Sequence, residues 1–250
     1  MADFFSEHKL YSREIQDLLL ADVILTLAFT LVIVGGTATL SVAPGVFLYF
    51  LPISFIAVSL TFVLHELMHK FVAQHYGAVA AFRTSMVGLL ITIASSFFGF
   101  LIGIPGATVI YTNSFTVEHE GKVSLAGPLT NFVVFGVFFA MGLLSFHGFP
   151  GNVLSSLNMN TFSHNSYLQN LIDVVLFISI LLAFYNMLPI YPLDGSKVLR
   201  WNKGIYLMTI AVIFGLFLFV IPLISLLISL VFMLFLALMF SLFYRGIRLF

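Results

Sequence analysis

Apolar residues in this chain come in long, nearly charge-free runs, without the alternating stripes of a soluble amphipathic helix. The first run covers roughly Leu18 to Gly36 and the second about Gly45 to Gln74. A third, Val87 to Ile110, is interrupted by Gly99, Gly103, Pro105 and Gly106. Then come Leu125 to Phe146, Leu171 to Pro189, and a stretch from Ile205 to Tyr244, long enough for two spans turning near Pro222. A helix of about 20 apolar residues crosses a bilayer, so each unbroken run predicts a transmembrane helix.

The broken third run decides the topology. If residues 87–110 dip in and return, every Lys and Arg falls on one side. These are Lys9, Arg13, Lys70, Arg83, Lys122, Lys197, Arg200, Lys203, Arg245 and Arg248. The opposite loops, at 37–45, at 147–170 and around Pro222, hold none. That is a strong positive-inside pattern, and an extra crossing would erase most of it. The expected fold is therefore all-α and polytopic, with about six transmembrane helices. A re-entrant loop or β-hairpin lies between the second and third, and both termini are cytoplasmic. Irregular backbone at that depth must be buried in protein or line a wet cavity. The β-branched run at 108–112 suits a short strand there.

Composition agrees. The chain is 61% hydrophobic and 8% charged, with a mean hydropathy of +1.13, which places it in a lipid bilayer. Its net charge of zero offers no basic patch to nucleic acid. It has no cysteine, so disulfides, thiolate metal sites and a cysteine nucleophile are excluded. Residues 1–17 are polar and mixed in charge, and the first apolar run is as long as a spanning helix, so it reads as a retained span. One membrane domain covers 1–250. It comprises a cytoplasmic segment at 1–17, spans one to three in 18–146, and spans four to six in 147–250.

Ionisable groups inside such helices are costly and mark function. The second run ends in "HELMH", residues 65–69. Four residues turn an α-helix by about 400°, so His65 and His69 share a face one turn apart. Two imidazoles so placed can bind one Zn²⁺, and Glu66 beside them can take a proton from water. The alternative is two packed histidines and an interfacial glutamate, which would leave Glu66 buried without a partner.

A catalytic zinc takes three protein ligands. His75 lies six residues after His69, but Val72 stands where related zinc motifs have a glycine. On a continuous helix His75 would point away. His119 sits among charged residues, and His147 and His164 fall in the far loops. The better third ligand is Asp194, in "NMLPIYPLDG" at 186–195, where Pro189 and Pro192 break the helix and Gly195 allows a tight turn. Ligands must lie within about 2.2 Å of one ion, so they must share one depth. The six-span topology puts His65, His69 and Asp194 at the same side.

These motifs together resemble the site-2 proteases, the intramembrane zinc metalloproteases of peptidase family M50. The H-E-x-x-H is one half. The other is N-x-x-P-x-x-P-L-D-G, matched by Asn186, Pro189, Pro192, Leu193, Asp194 and Gly195. "GPLTN" matches the family's G-P-x-x-N at Gly127, Pro128 and Asn131, and the opening resembles archaeal members. Met68 departs from the glycine common at that place. No PDZ or CBS domain is seen, as in the minimal subgroup.

The resemblance implies one Zn²⁺ on His65, His69 and Asp194, with Glu66 as general base. It also implies substrates that are transmembrane segments of other proteins, held unwound by Asn131 and Asn186. Helix-helix hydrogen bonding is the other reading of those two amides. A non-catalytic membrane protein that binds or transports metal is the alternative function. A prenyl-protein-type protease would need a later glutamate, and none follows Glu120.

Overall fold

The computed structural model describes residues 12–112, 114–146 and 166–220. Among the described residues, four helices are long and apolar enough to cross a membrane. Helix α1 spans Ser12–Ile33. A short α2, Thr37–Val42, leads to α3, Pro44–Val58, which starts with proline where the missing N–H costs nothing. A single π-helical turn, Ser59–Val63, joins α3 without a break to α4, Leu64–His75. Pro44–His75 is thus one 32-residue helix.

Strand β1, Val79–Thr84, and strand β2, Gly106–Tyr111, follow, with α5, Met86–Ser96, between them. Helix α6 covers Val117–Phe146 and α7 Tyr167–Asn186. Helix α8, Asp194–Trp201, and the apolar α9, Lys203–Val220, complete the described chain. The span expected after Pro222, and the histidines at 147 and 164, lie outside the described residues.

The strands pair antiparallel, from Val79 opposite Tyr111 to Thr84 opposite Gly106. Residues 85–105 therefore leave and return at one point. With eleven residues, α5 reaches only about 16 Å at 1.5 Å per residue, roughly half a hydrocarbon core. The return stretch runs back along α5, and hydroxyls on the helix satisfy its backbone. Thr92 Oγ1 donates to the Ile102 carbonyl at 2.8 Å and accepts from Ile104 N–H at 3.1 Å. Ser95 Oγ accepts from Ile102 N–H at 2.9 Å. Such substitution is what irregular backbone in apolar surroundings requires. Gly106 starts β2 at φ +140°, and a side chain there would strike the Arg83 carbonyl.

Helix α6 packs against α4, α7 and α8. One apolar core joins Leu25 and Phe29 of α1, Phe50 and Ile53 of α3, and Val174 and Ile178 of α7. A second joins Phe135 of α6, Leu176 and Phe184 of α7, and Phe217 of α9.

Residues 12–17, in the polar terminal segment, form the first turns of α1. Glu14 is fully buried and accepts from Lys70 Nζ at 2.5 Å and from Phe82 N–H at 3.1 Å. Asp17 accepts from Arg83 Nη1 at 3.2 Å and from Thr84 Oγ1 at 3.0 Å. Charge alone does not reveal such partners, which lie 56 or more positions away.

Removing one partner of a buried pair strands the other charge. We expect Lys70→Met or Glu14→Gln alone to cost about 3–5 kcal/mol. The double variant should lose clearly less than the sum, measured as thermal unfolding in detergent. Additive losses would show that the two side chains are not coupled.

Candidate metal centre

His65 and His69 lie one turn apart on α4, with their rings edge-to-face at 4.6 Å. Their Nε2 atoms are 3.0 Å apart. Asp194 Oδ2 stands 3.5 Å from His65 Nε2 and 3.1 Å from His69 Nε2. All three residues are buried. Ligands about 2.1 Å from a tetrahedral ion lie about 3.4 Å apart, so this triangle has the size of a zinc face.

The proline-broken turn delivers Asp194 as expected. α7 ends at Asn186, the chain reverses through Pro189 and Pro192, and Asp194 opens α8 after an extended Leu193. As a metal ligand the Asp194 carboxyl must be ionised.

The outer nitrogens fix the imidazoles. His69 Nδ1 lies 2.7 Å from the Val123 carbonyl and must carry a proton, so Nε2 is the nitrogen the neutral ring would offer a metal. His65 Nδ1 lies 3.2 Å from the Asn131 side-chain amide. Asn131 is fully buried, and its Oδ1 has no partner. Amide oxygen and nitrogen are exchangeable by a flip, and a flipped Asn131 accepts the His65 Nδ1 proton. With both rings neutral, the two Nε2 lone pairs and the carboxylate face one point, a donor set suited to a divalent cation.

Helix α6 supplies the room. A Cβ on Gly127 would sit 2.5 Å from both Nε2 atoms, within the space an ion needs. Val123, Gly127 and Asn131 fall four residues apart, on one face of α6. The face presents in turn a carbonyl for His69, a gap, and an amide for His65. The residues present therefore fit a bound metal.

Glu66 points to the strands. Its Oε2 accepts from Thr108 N–H at 3.0 Å and from Thr108 Oγ1 at 2.9 Å. Thr108 was not singled out from the sequence beyond its place in a β-branched run. Asn186 is half-buried, and its Nδ2 donates to the Leu182 carbonyl of its own helix at 3.0 Å. His75 is exposed at the end of α4 against Tyr76, and His119 stacks on Tyr76 at 4.5 Å. Neither belongs to the centre.

Comparison with known proteins agrees with this chemistry. The model of peptidase family M50 matches residues 53–207. Over 155 residues the chain is 42% identical to "Putative zinc metalloprotease MJ0611" of Methanocaldococcus jannaschii, covering 62% of this chain and 72% of that one. It is 26% identical over 154 residues to "Zinc metalloprotease MJ0392" of the same organism, covering 60% of this chain and 34% of that protein. No solved structure matches. With a family match across more than half its length, the chain belongs to peptidase family M50 and is a membrane zinc metalloprotease.

Proposed function

We propose that the protein is a site-2-type protease, which hydrolyses peptide bonds within or beside the transmembrane segments of other membrane proteins. The observation that carries this reading is the buried triangle of His65, His69 and Asp194 at the end of a membrane helix, with Glu66 next to the first ligand. In this reading His65, His69 and Asp194 hold one Zn²⁺. An ion held there would supply Lewis acidity towards the scissile carbonyl and the attacking water. Glu66 takes a proton from that water as its oxygen adds to the carbonyl carbon. It returns the proton to the leaving amine as the C–N bond breaks.

A substrate helix hides its amides in its own hydrogen bonds and must unwind first. The side of β2 away from β1 carries Thr108 next to the base, so an extended substrate segment can add there as a further strand. Asn186, at the end of α7, offers an amide to the same segment. Asn131 acts through His65: its fully buried amide fixes the ring that binds the ion. Six spans, with residues 85–105 re-entrant and both termini cytoplasmic, account for the one-sided basic residues.

Glu66→Gln should abolish cleavage of single-span substrates, by at least about 100-fold, and keep one zinc per chain. Asp194→Ala should lose both. Normal proteolysis by Glu66→Gln would sink the mechanism. For Asn131, replacement by Leu should weaken zinc retention against a chelator by about 10–100-fold, whereas Asn131→Asp, still an acceptor, should retain it. Unchanged retention in the Leu variant would return Asn131 to the substrate. The topology is tested in this cysteine-free chain by placing cysteine at Arg83 and at Lys122. An impermeant reagent should label both from the same side, and opposite-side labelling refutes the re-entrant arrangement.

A further inference from the structure

The base has a partner that the motif does not contain. Glu66 Oε2 accepts two hydrogen bonds from a single residue, Thr108, through its N–H and its hydroxyl. The hydroxyl also lies 3.1 Å from the Glu66 carbonyl, so one side chain grips both the backbone and the carboxylate of the base. Oε1 accepts no hydrogen bond from any described residue.

Strand geometry explains why Thr108 has an N–H to give. In the β1–β2 ladder Thr108 faces Phe82. Phe82 N–H goes to Glu14 on the other side. Both amides of this facing pair point outward, as in a non-hydrogen-bonded pair of an antiparallel ribbon. A residue one place earlier or later on β2 would turn its N–H inward to β1 and could not reach the base.

We propose that Thr108 is a positioning residue for catalysis, resting on the reading of Glu66 as general base. Its two donors tie down Oε2 and fix the carboxylate plane, so that Oε1 is the oxygen presented to the attacking water. A base oriented by a third group is the common arrangement where proton transfer needs one geometry. Without that hold the carboxylate rotates, and misplacement of about 1 Å can cost 100-fold in rate.

The hydroxyl can be removed without harm to the strand. Valine is isosteric with threonine and a better strand former, whereas serine keeps the hydroxyl and loses the methyl. The assay uses the full-length zinc-loaded protein in detergent and a single-span reporter, chosen because the wild type cleaves it, with a Gly-Pro pair in its span. Thr108→Val should lower kcat about 10- to 100-fold, with KM within about twofold. Zinc content and thermal midpoint should equal those of the wild type. Thr108→Ser should restore most of the rate. On a Glu66→Gln background, Thr108→Val should remove nothing further, because residues that act as a unit are not additive.

A purely structural role predicts the reverse order, with valine at least as good as threonine and serine worse. That order, or a wild-type kcat in Thr108→Val, overturns the inference. If Thr108→Val fails to fold, Thr108→Ala reports loss of the hydroxyl with less bulk, and a wild-type kcat there overturns it equally. Each of these results leaves the general-base reading intact as long as Glu66→Gln is inactive. Normal cleavage by Glu66→Gln would instead remove the reading on which the inference rests.

Discussion

A two-stranded ribbon pressed against apolar helices has two open edges, and each unpaired amide on them costs free energy unless something accepts its proton. For the central facing pair two glutamates do so, one from each flanking helix. Glu14 of α1 takes the Phe82 amide and Glu66 of α4 takes the Thr108 amide. Phe82 and Thr108 face each other across the ladder. Lys70, one turn beyond Glu66 on α4, closes the ring by binding Glu14. The path Glu66–Thr108–Phe82–Glu14–Lys70 starts and ends on one helix. The hairpin therefore cannot slide by one residue without turning both amides inward and leaving both carboxylates without them. The register that satisfies the ribbon is also the register that holds the base.

The metal centre depends on a similar economy of surfaces. Close approach of α4 and α6 brings the Val123 carbonyl to His69 and the Asn131 amide to His65. Such proximity would ordinarily fill the space between the rings with a side chain. Gly127 leaves it empty where the Nε2 atoms converge. Asp194 enters from the far side on α8, which also packs on α6. Helix α6 thus serves as the common backing for both ligand-bearing elements. This explains how two sequence segments some 125 residues apart can meet with distances of 3.1–3.5 Å.

Much of this was legible before the structure. The apolar runs gave the long helices because lipid leaves a chain few other choices. The spacing of His65 and His69 gave a shared helical face, and Pro189 with Pro192 gave the break that frees Asp194. What stayed hidden was every partner reached through backbone. Thr108 serves Glu66 partly by its amide, which every residue but proline possesses, so no residue type announces it. The pairing of Glu14 and Asp17 stayed hidden because their partners, Lys70 and Arg83, lie far along the chain. Strand β1 hid for a related reason: Val79–Thr84 includes Arg83 and two alanines, and it becomes a strand through pairing, not propensity. An amide in a membrane helix has several uses, and the approach of Asn131 to His65 was not legible from its place in GPLTN.

The π-helical turn just before the histidines follows from the same packing demands. Buried positions on the long helix recur every fourth residue, from Phe50 through Ser54, Val58 and Phe62 to Glu66, Lys70 and Gln74. On a regular α-helix a four-residue step overshoots one turn by about 40°, so a stripe of six such steps would wind about 240° around the axis. A helix cannot keep that stripe against the same neighbours. One residue inserted by a π-turn takes back about 100°. Ser59–Val63 lies midway along the stripe, and Ser59 at its start donates to Asp22 of α1 at 2.8 Å. Upstream, the corrected stripe packs into the apolar core with α1 and α7. Downstream it presents His65 and His69 to α6, and Glu66 and Lys70 to the ribbon and α1. A straight α-helix through the same residues could satisfy one half of these contacts but not both.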